Sequence, residues 1–346
     1  MALDGQMNEY FEAGISKLIF KIKDERNSSS MKLPQKKPKI GISACVAGEQ
    51  VRFDKGHKRS DFCMTQLAPF VDYQPYCPEV AIGLPIPRPT IRQVQLSDGI
   101  HVSRPDGQGD VTQDLTEYGQ TVASKIDHLS GFIFCQKSPS CGMERVKVYQ
   151  EDGKGSTASG IGLFAKQIMT LNPNLPCEEN GRLMDPALRE NFMIRVFTYR
   201  HWQDLLASGL TKHKLITFHS ERKYLLMSHH LISYKEAGRL LARADLDLDE
   251  MAQQYIAILM SGLKHVATHK SHTNTLQHLQ GYFKKVLTKQ QKSELSTHID
   301  NFRAGLVPLL VPLTLINHYL KEFPQQYLAA QVYLSPYPQE LKLRYI

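Results

Sequence analysis

Between Lys39 and Pro173 short apolar runs alternate with amphipathic stretches, and no other feature limits the possible folds as strongly. KIGISAC reads as a buried strand ending at Cys45, SDFCMTQLAPFV as a helix, and DYQPYCPEV as a second strand ending near Cys77. IRQVQLSDGIHVSRP has the pattern of a hairpin with Asp98-Gly99 at its turn. DLTEYGQTVASKIDHLS sets Leu115, Val122, Ile126 and Leu129 on one helical face. GFIFC follows as a third strand, and GIGLFAKQIMTLNP as a helix stopped by Pro173. Strands joined through helices pair in parallel, so this part is expected to form an α/β layer with a Rossmann-like, mainly parallel sheet. Sites in such sheets gather beyond the C-terminal ends of the strands. Cys45 and Cys77 lie at predicted strand ends and Cys141 in the loop past the third strand, so the three are expected at one rim.

The pattern changes at MDPALRENF, where Asp185 reads as a helix cap and Pro186 as the first helical residue. From there the chain reads as almost entirely helical. TKHKLITFHSERKYLLMSHHLISYKEAGRLLA, LDEMAQQYIAILMSGLKHVA and TNTLQHLQGYFKKVL all have the spacing of long amphipathic helices. A length of 346 residues suggests two domains. The expected division is a leader over 1–38, an α/β domain over 39–207 and an all-α domain over 208–346. The leader is expected to be disordered, with Met31 as an alternative start.

No apolar run reaches the roughly 18–20 residues of a membrane span. The greasiest stretch, AGLVPLLVPLTLINHYL, is cut by Pro308 and Pro312. The opening MALDGQMNEYFEAG lacks the apolar segment of a secretory signal, so a cytoplasmic, reducing setting is expected. There, six cysteines do not form a disulfide framework. All six lie between Cys45 and Cys177, and Cys63, Cys135 and Cys177 read as small buried hydrophobes, with Cys135 close enough to Cys141 to lie beside it. A net charge of +8 is compatible with an anionic partner, a phosphorylated metabolite or a nucleic acid, and equally with a mildly basic surface.

Cys45, Cys77 and Cys141 stand in the contexts SACVAGEQVRFD, YCPEVAIGLPIPR and KSPSCG. Glycine or proline lies close to each, which suits a backbone that bends to bring thiolates together. No C-x-x-C pair is present, so spacing leaves three readings open: zinc, an iron–sulfur cluster, or a lone cysteine nucleophile. His269, His272 and His278 lack further ligands at metal spacing and read as core or surface histidines. His219, Arg222, Lys223, Lys284 and Lys285 read as basic helix faces, solvated or in contact with phosphates.

The motifs C-x-x-G-x-x-V-R-F-D (Cys45 to Asp54), C-P-E-V-x-x-G-L-x-x-P-R (Cys77 to Arg88) and S-P-S-C-G (Ser138 to Gly142) resemble the TudS-like thiouracil desulfurases, over roughly Lys39 to Asn180. LITFHSERKYLLMSHH, THKSHTNTLQHLQGYFKK and GLVPLLVPLTLINHYL resemble YbgA-like proteins. The resemblance implies a 4Fe-4S cluster held by Cys45, Cys77 and Cys141, with one iron left for the sulfur of a thiolated pyrimidine or its nucleotide. It implies desulfuration by water attack, without net electron transfer. In that frame Glu79 is expected to activate water and Ser138 to hydrogen-bond the substrate, with Ser140 a second substrate contact. Gly142 is expected to let substrate approach. Arg52, Lys58 and Arg88 are the cations closest to the motifs and are expected to take a substrate phosphate. The alternative is a metal-stabilised nucleic-acid-binding module without catalysis.

Overall fold

The computed structural model describes residues 36–344. The expected disordered leader, apart from residues 36–38, lies outside the described residues.

Four buried or half-buried runs form the first sheet: β1 (Lys39–Ser43), β2 (Asp72–Tyr76), β5 (Gly131–Phe134) and β8 (Cys177–Glu179). Their order is β2-β1-β5-β8 and every pairing is parallel. The central strands β1 and β5 are apolar on both faces because both faces are covered. On one face Phe132 and Phe134 stack 4.4 Å apart and meet Phe164 of α4 (Leu163–Leu171), which itself stacks on Tyr118 of α3 (Thr112–Ala123). On the other face α5 (Pro186–Ala207) lies so close that a Cβ on Gly131 would meet Val196 Cγ2 at 2.8 Å. Pro75 is tolerated in β2 because β2 is an edge strand.

A second sheet holds β3 (Arg92–Leu96), β4 (Gly99–Ser103), β6 (Val146–Gln150) and β7 (Ser156–Gly160) in the order β4-β3-β6-β7. Its hairpin of β3 and β4 is the expected one, turning through Ser97 and Asp98, with Gly99 opening β4 at φ 145°. Strands β6 and β7 were not expected. β6 buries only Val146 and Val148, and β7 is polar and exposed, so neither carries a strong apolar signal. The strand ends also shift slightly. β1 stops at Ser43 and a single helical turn, α1 (Ala44–Ala47), carries Cys45. β2 stops at Tyr76, and Cys77 caps α2 (Pro78–Ala81).

The remainder is helical: α6 (Lys212–His229), α7 (Leu231–Leu241), α8 (Leu248–Leu263), α9 (His269–Gly281), α10 (Lys289–Arg303), α11 (Leu310–Glu322) and a short α12 (Gln326–Ala329). Asp185 caps α5 as expected, accepting from the N–H groups of Ala187 and Leu188, with Pro186 at the first position. The single long helix expected after Thr211 is broken. His230 takes an extended conformation (φ −151°, ψ 105°), and its ring accepts from the Ser233 N–H to start α7. One hydrophobic core runs from Ile40 through α5 to Leu343, so the two halves pack as one unit. Polar pins cross the same region: Asn191 of α5 donates to Leu263 O at 2.8 Å, and Arg195 lies 3.8 Å from Glu178 of β8.

Burial holds His219 and His229 neutral and pulls their basicity down to about 4; Lys223 adds to the effect at His219. In the unfolded chain such rings protonate near 6.5. As pH falls below about 6.5 the unfolded state therefore binds more protons than the folded state, and stability is lost until the folded rings protonate near 4. Each ring contributes a slope of about 1.4 kcal/mol per pH unit in that window. The urea midpoint should fall between pH 7 and pH 5, and His219→Gln with His229→Gln should flatten that fall. A wild-type midpoint that stays level on acidification contradicts neutral buried rings.

Candidate active site

Because β1, β2 and β5 run in parallel, the segments that follow them leave the sheet at one rim. After β1, the turn α1 presents Cys45 half-buried and is closed by Gly48 in a left-handed conformation (φ 106°). After β2, Cys77 is half-buried at the start of α2, and Glu79 lies in that turn. After β5 come Cys135 and the loop KSPSCG, with Cys135 and Cys141 both buried. The three expected cysteines are near enough to feel one another's charge, Cys45 that of Cys141 and Cys141 that of Cys77, and Cys135, which reads as a core residue close enough to Cys141 to lie beside the site, bonds Cys45.

Side chains tie these segments together over long sequence distances. The Ser43 hydroxyl accepts the N–H of Cys135 at 3.0 Å. The Cys77 thiol donates to Glu79 Oε2 at 3.4 Å. The Ser140 hydroxyl donates to Glu79 Oε1. Ser138 Oγ lies 2.9 Å from Ser140 Oγ and accepts the N–H of Cys141 at 3.1 Å. Glu79, Ser138 and Ser140 thus form one group beside Cys77 and Cys141. Ser140 is fully buried, whereas Glu79 and Ser138 remain partly exposed.

The site disfavours ionisation of Cys45, Cys77 and Cys141. The hydrogen bond with Cys135 raises Cys45, helped by burial and by the charges of Cys135, Cys141 and Glu79. Burial and then Glu79 push Cys77 up to about 12 and raise Cys141 well above the ordinary thiol range. Cys135 is lowered, first by the hydrogen bond with Cys45 and then by Lys58 and Arg52. Such a crowd of thiols next to a carboxylate suits a strongly cationic guest, which would hold the thiolates deprotonated. Among the described residues no three His, Cys, Asp or Glu side chains converge as a single metal ion requires. Ligands of a polynuclear cluster bind different irons and need no such convergence, so the donor set fits a cluster better than zinc.

The expected cations border this group. Lys58 donates its N–H to Cys45 O at 2.8 Å, with an exposed side chain. Arg52 is half-buried, over the Phe53 ring at 5.3 Å and 3.7 Å from Asp54. The N–H of Arg88 donates to Phe53 O at 3.0 Å, so the Arg52 and Arg88 loops are neighbours. Gly142 has a different role from the one expected. A Cβ there would strike Val146 and the Ser138 carbonyl, so the missing side chain makes room for the protein rather than for substrate.

Three supporting residues were not legible in advance. Gln93, fully buried in β3, donates from Nε2 to Pro139 O (3.0 Å) and Ile161 O (2.7 Å) and so fastens the KSPSCG loop to the second sheet. Glu179 Oε1 accepts the N–H of Met143 at 2.7 Å, just past Cys141. Burial, and after it the charges of Cys77 and Cys141, raises the Tyr118 hydroxyl. A buried glutamine in RQVQL was the only available sign of the first. Cys63 and Cys177 lie elsewhere: Tyr73 donates to Cys63 O, and Cys177 is buried in β8 beside Arg195.

In the helical half, the exposed His269 packs on Phe302 (4.8 Å) and the half-buried His272 bonds the Tyr333 hydroxyl (2.9 Å), so both serve packing. The expected basic face is partly lost, because His219 and Arg222 are buried and Arg222 lies 3.6 Å over the Phe218 ring. Lys284 and Lys285 are exposed. Among the described residues no helix is long and apolar enough to cross a membrane.

Residues 40–180 match the family model described as 2-thiouracil desulfurase, and residues 223–338 match one described as a protein of unknown function, DUF1722. Over 158 residues the chain is 32% identical to the uncharacterized protein YbgA of Escherichia coli strain K12, covering 45% of this chain and 94% of YbgA. A solved structure described as the [4Fe-4S]-dependent thiouracil desulfidase TudS is 27% identical. That likeness covers 44% of this chain and 97% of TudS, at a TM-score of 0.36.

Proposed function

Since the chain belongs to the family of the Escherichia coli protein YbgA and also carries a 2-thiouracil desulfurase domain, we propose that it removes sulfur from thiolated pyrimidines or their nucleotides. The observation that carries this reading is the meeting of Cys45, Cys77 and Cys141 with Glu79, Ser138 and Ser140 at one rim of the parallel sheet. The three cysteines would hold a 4Fe-4S cluster. When bound, such a cluster supplies a soft, Lewis-acidic iron suited to a thiocarbonyl sulfur.

The protein's own groups would do the rest. Glu79 has one oxygen held by Ser140 and the other facing Cys77, where it can take a proton from an attacking water. Ser138, partly exposed beside Cys141, would touch the substrate ring by packing, since its hydroxyl is already engaged by Ser140 and by the N–H of Cys141. Water supplies the oxygen of the product carbonyl, the C=S bond breaks, and sulfide leaves with the two protons of water. No electron is gained or lost. Arg52, Lys58 and Arg88 would face an anionic group on the substrate.

The test is anaerobic purification, iron and sulfide analysis, and turnover on a panel of thiolated bases, nucleosides and nucleotides. Brown protein that releases sulfide from one of these supports the reading. Colourless protein that binds zinc and turns over none of them removes it. If the arginines bind phosphate, Arg52→Ala and Arg88→Ala should each raise KM for the nucleotide about tenfold, as loss of a charge-assisted hydrogen bond does. KM for the free base should stay near its original value. An equal change for base and nucleotide counts against a phosphate contact.

A further inference from the structure

The geometry points to Ser140 as a positioning residue that joins Glu79 and Ser138 into one hydrogen-bonded unit, rather than as a substrate contact. This inference rests on the desulfidase reading of the same site. The directions of the bonds follow from simple donor counting. An ionised carboxylate only accepts, so the Ser140 hydroxyl commits its single hydrogen to Glu79 Oε1. Ser140 Oγ can then only accept from Ser138 Oγ, 2.9 Å away. Ser138 in turn commits its hydrogen to Ser140, while its own oxygen takes the N–H groups of Cys141 (3.1 Å) and Ser140 (3.4 Å). The orientation of all three groups is therefore set from the Glu79 end.

The two ends of this chain differ in how firmly they are held. Glu79 belongs to α2, a single turn with a half-buried side chain. Ser140 is fully buried, and its backbone is anchored on both sides. Its carbonyl accepts the N–H of Ala165 at 3.2 Å, and the preceding Pro139 carbonyl accepts from Gln93 at 3.0 Å. Gly162 packs directly on it, with no room there for a Cβ. With no exposed surface, the Ser140 hydroxyl has no access to substrate. Its effect on the reaction passes through Glu79, by leaving Oε2, on the Cys77 side, as the oxygen that Ser140 does not hold, and through Ser138.

The experiment is a cycle of Ser140→Ala, Glu79→Ala and the double variant, measured in the cluster-loaded and the cluster-free protein. In the loaded protein, Ser140→Ala should keep its iron and KM while kcat falls roughly 10- to 100-fold, the scale of a small misplacement of a reacting group. The double variant should be no slower than Glu79→Ala alone, because groups that act as a unit do not add. Losses that multiply, iron lost with activity, or a Ser140→Ala kcat near wild type overturn the inference. The cluster-free protein supplies a readout independent of turnover. The shifts in urea midpoint for the two single changes should not add in the double variant, and additive shifts overturn the coupling. If the wild type turns over no thiolated pyrimidine, the functional reading falls, and the midpoints alone decide whether Ser140 and Glu79 are joined.

Discussion

Alanine at Cys45, Cys77 or Cys141 should each strip most of the iron from anaerobically purified protein. Each of these cysteines comes from a different segment at the sheet rim, so none of the three can stand in for another. Cys135→Ala should fall between these and the wild type. Its thiol bonds Cys45. If Cys45 is the ligand, Cys135 would act as its neighbour. Removing such a neighbour typically weakens metal binding about 10- to 100-fold. Cys63→Ala and Cys177→Ala should keep near-normal iron and lose only some stability, since each leaves a small gap in a packed core. Iron analysis with visible spectra reads all five variants. Full iron in Cys77→Ala, or iron lost in Cys63→Ala, rejects the ligand assignment.

Glu79→Gln is expected to keep the cluster and the substrate affinity while turnover falls roughly 100- to 10,000-fold, the usual contribution of a general acid–base group. Glutamine preserves the shape and can still accept the Ser140 hydroxyl through its amide oxygen, so the arrangement of the loop should survive. What it cannot do is take a proton from water. A variant with an intact cluster and near-normal turnover removes Glu79 from the mechanism. One that loses iron and activity together assigns Glu79 a structural role in the turn after Cys77, whose thiol it meets at 3.4 Å.

The local pattern determined the strands β1 and β5, the hairpin of β3 and β4, the cap at Asp185 and the helical character of the second half. Each rests on side chains within a few residues of one another, and burial follows from their periodicity. The contexts of Cys45, Cys77 and Cys141 were likewise legible, because a cysteine just past a buried strand has one direction in which to leave the sheet. What only the tertiary structure decided depends on strand order and on partners far apart in the chain. The order β2-β1-β5-β8 brings Cys135 to Cys45 and carries Ser140 to Glu79, 61 residues away. It also turns Gly142 against Val146, and the second sheet gives Gln93 its hold on the loop. In the helical half, packing buried His219 and Arg222, which a helical pattern of basic residues had suggested were exposed. A period assigns a residue to a face, but which element covers that face is settled by the non-local packing of the whole chain.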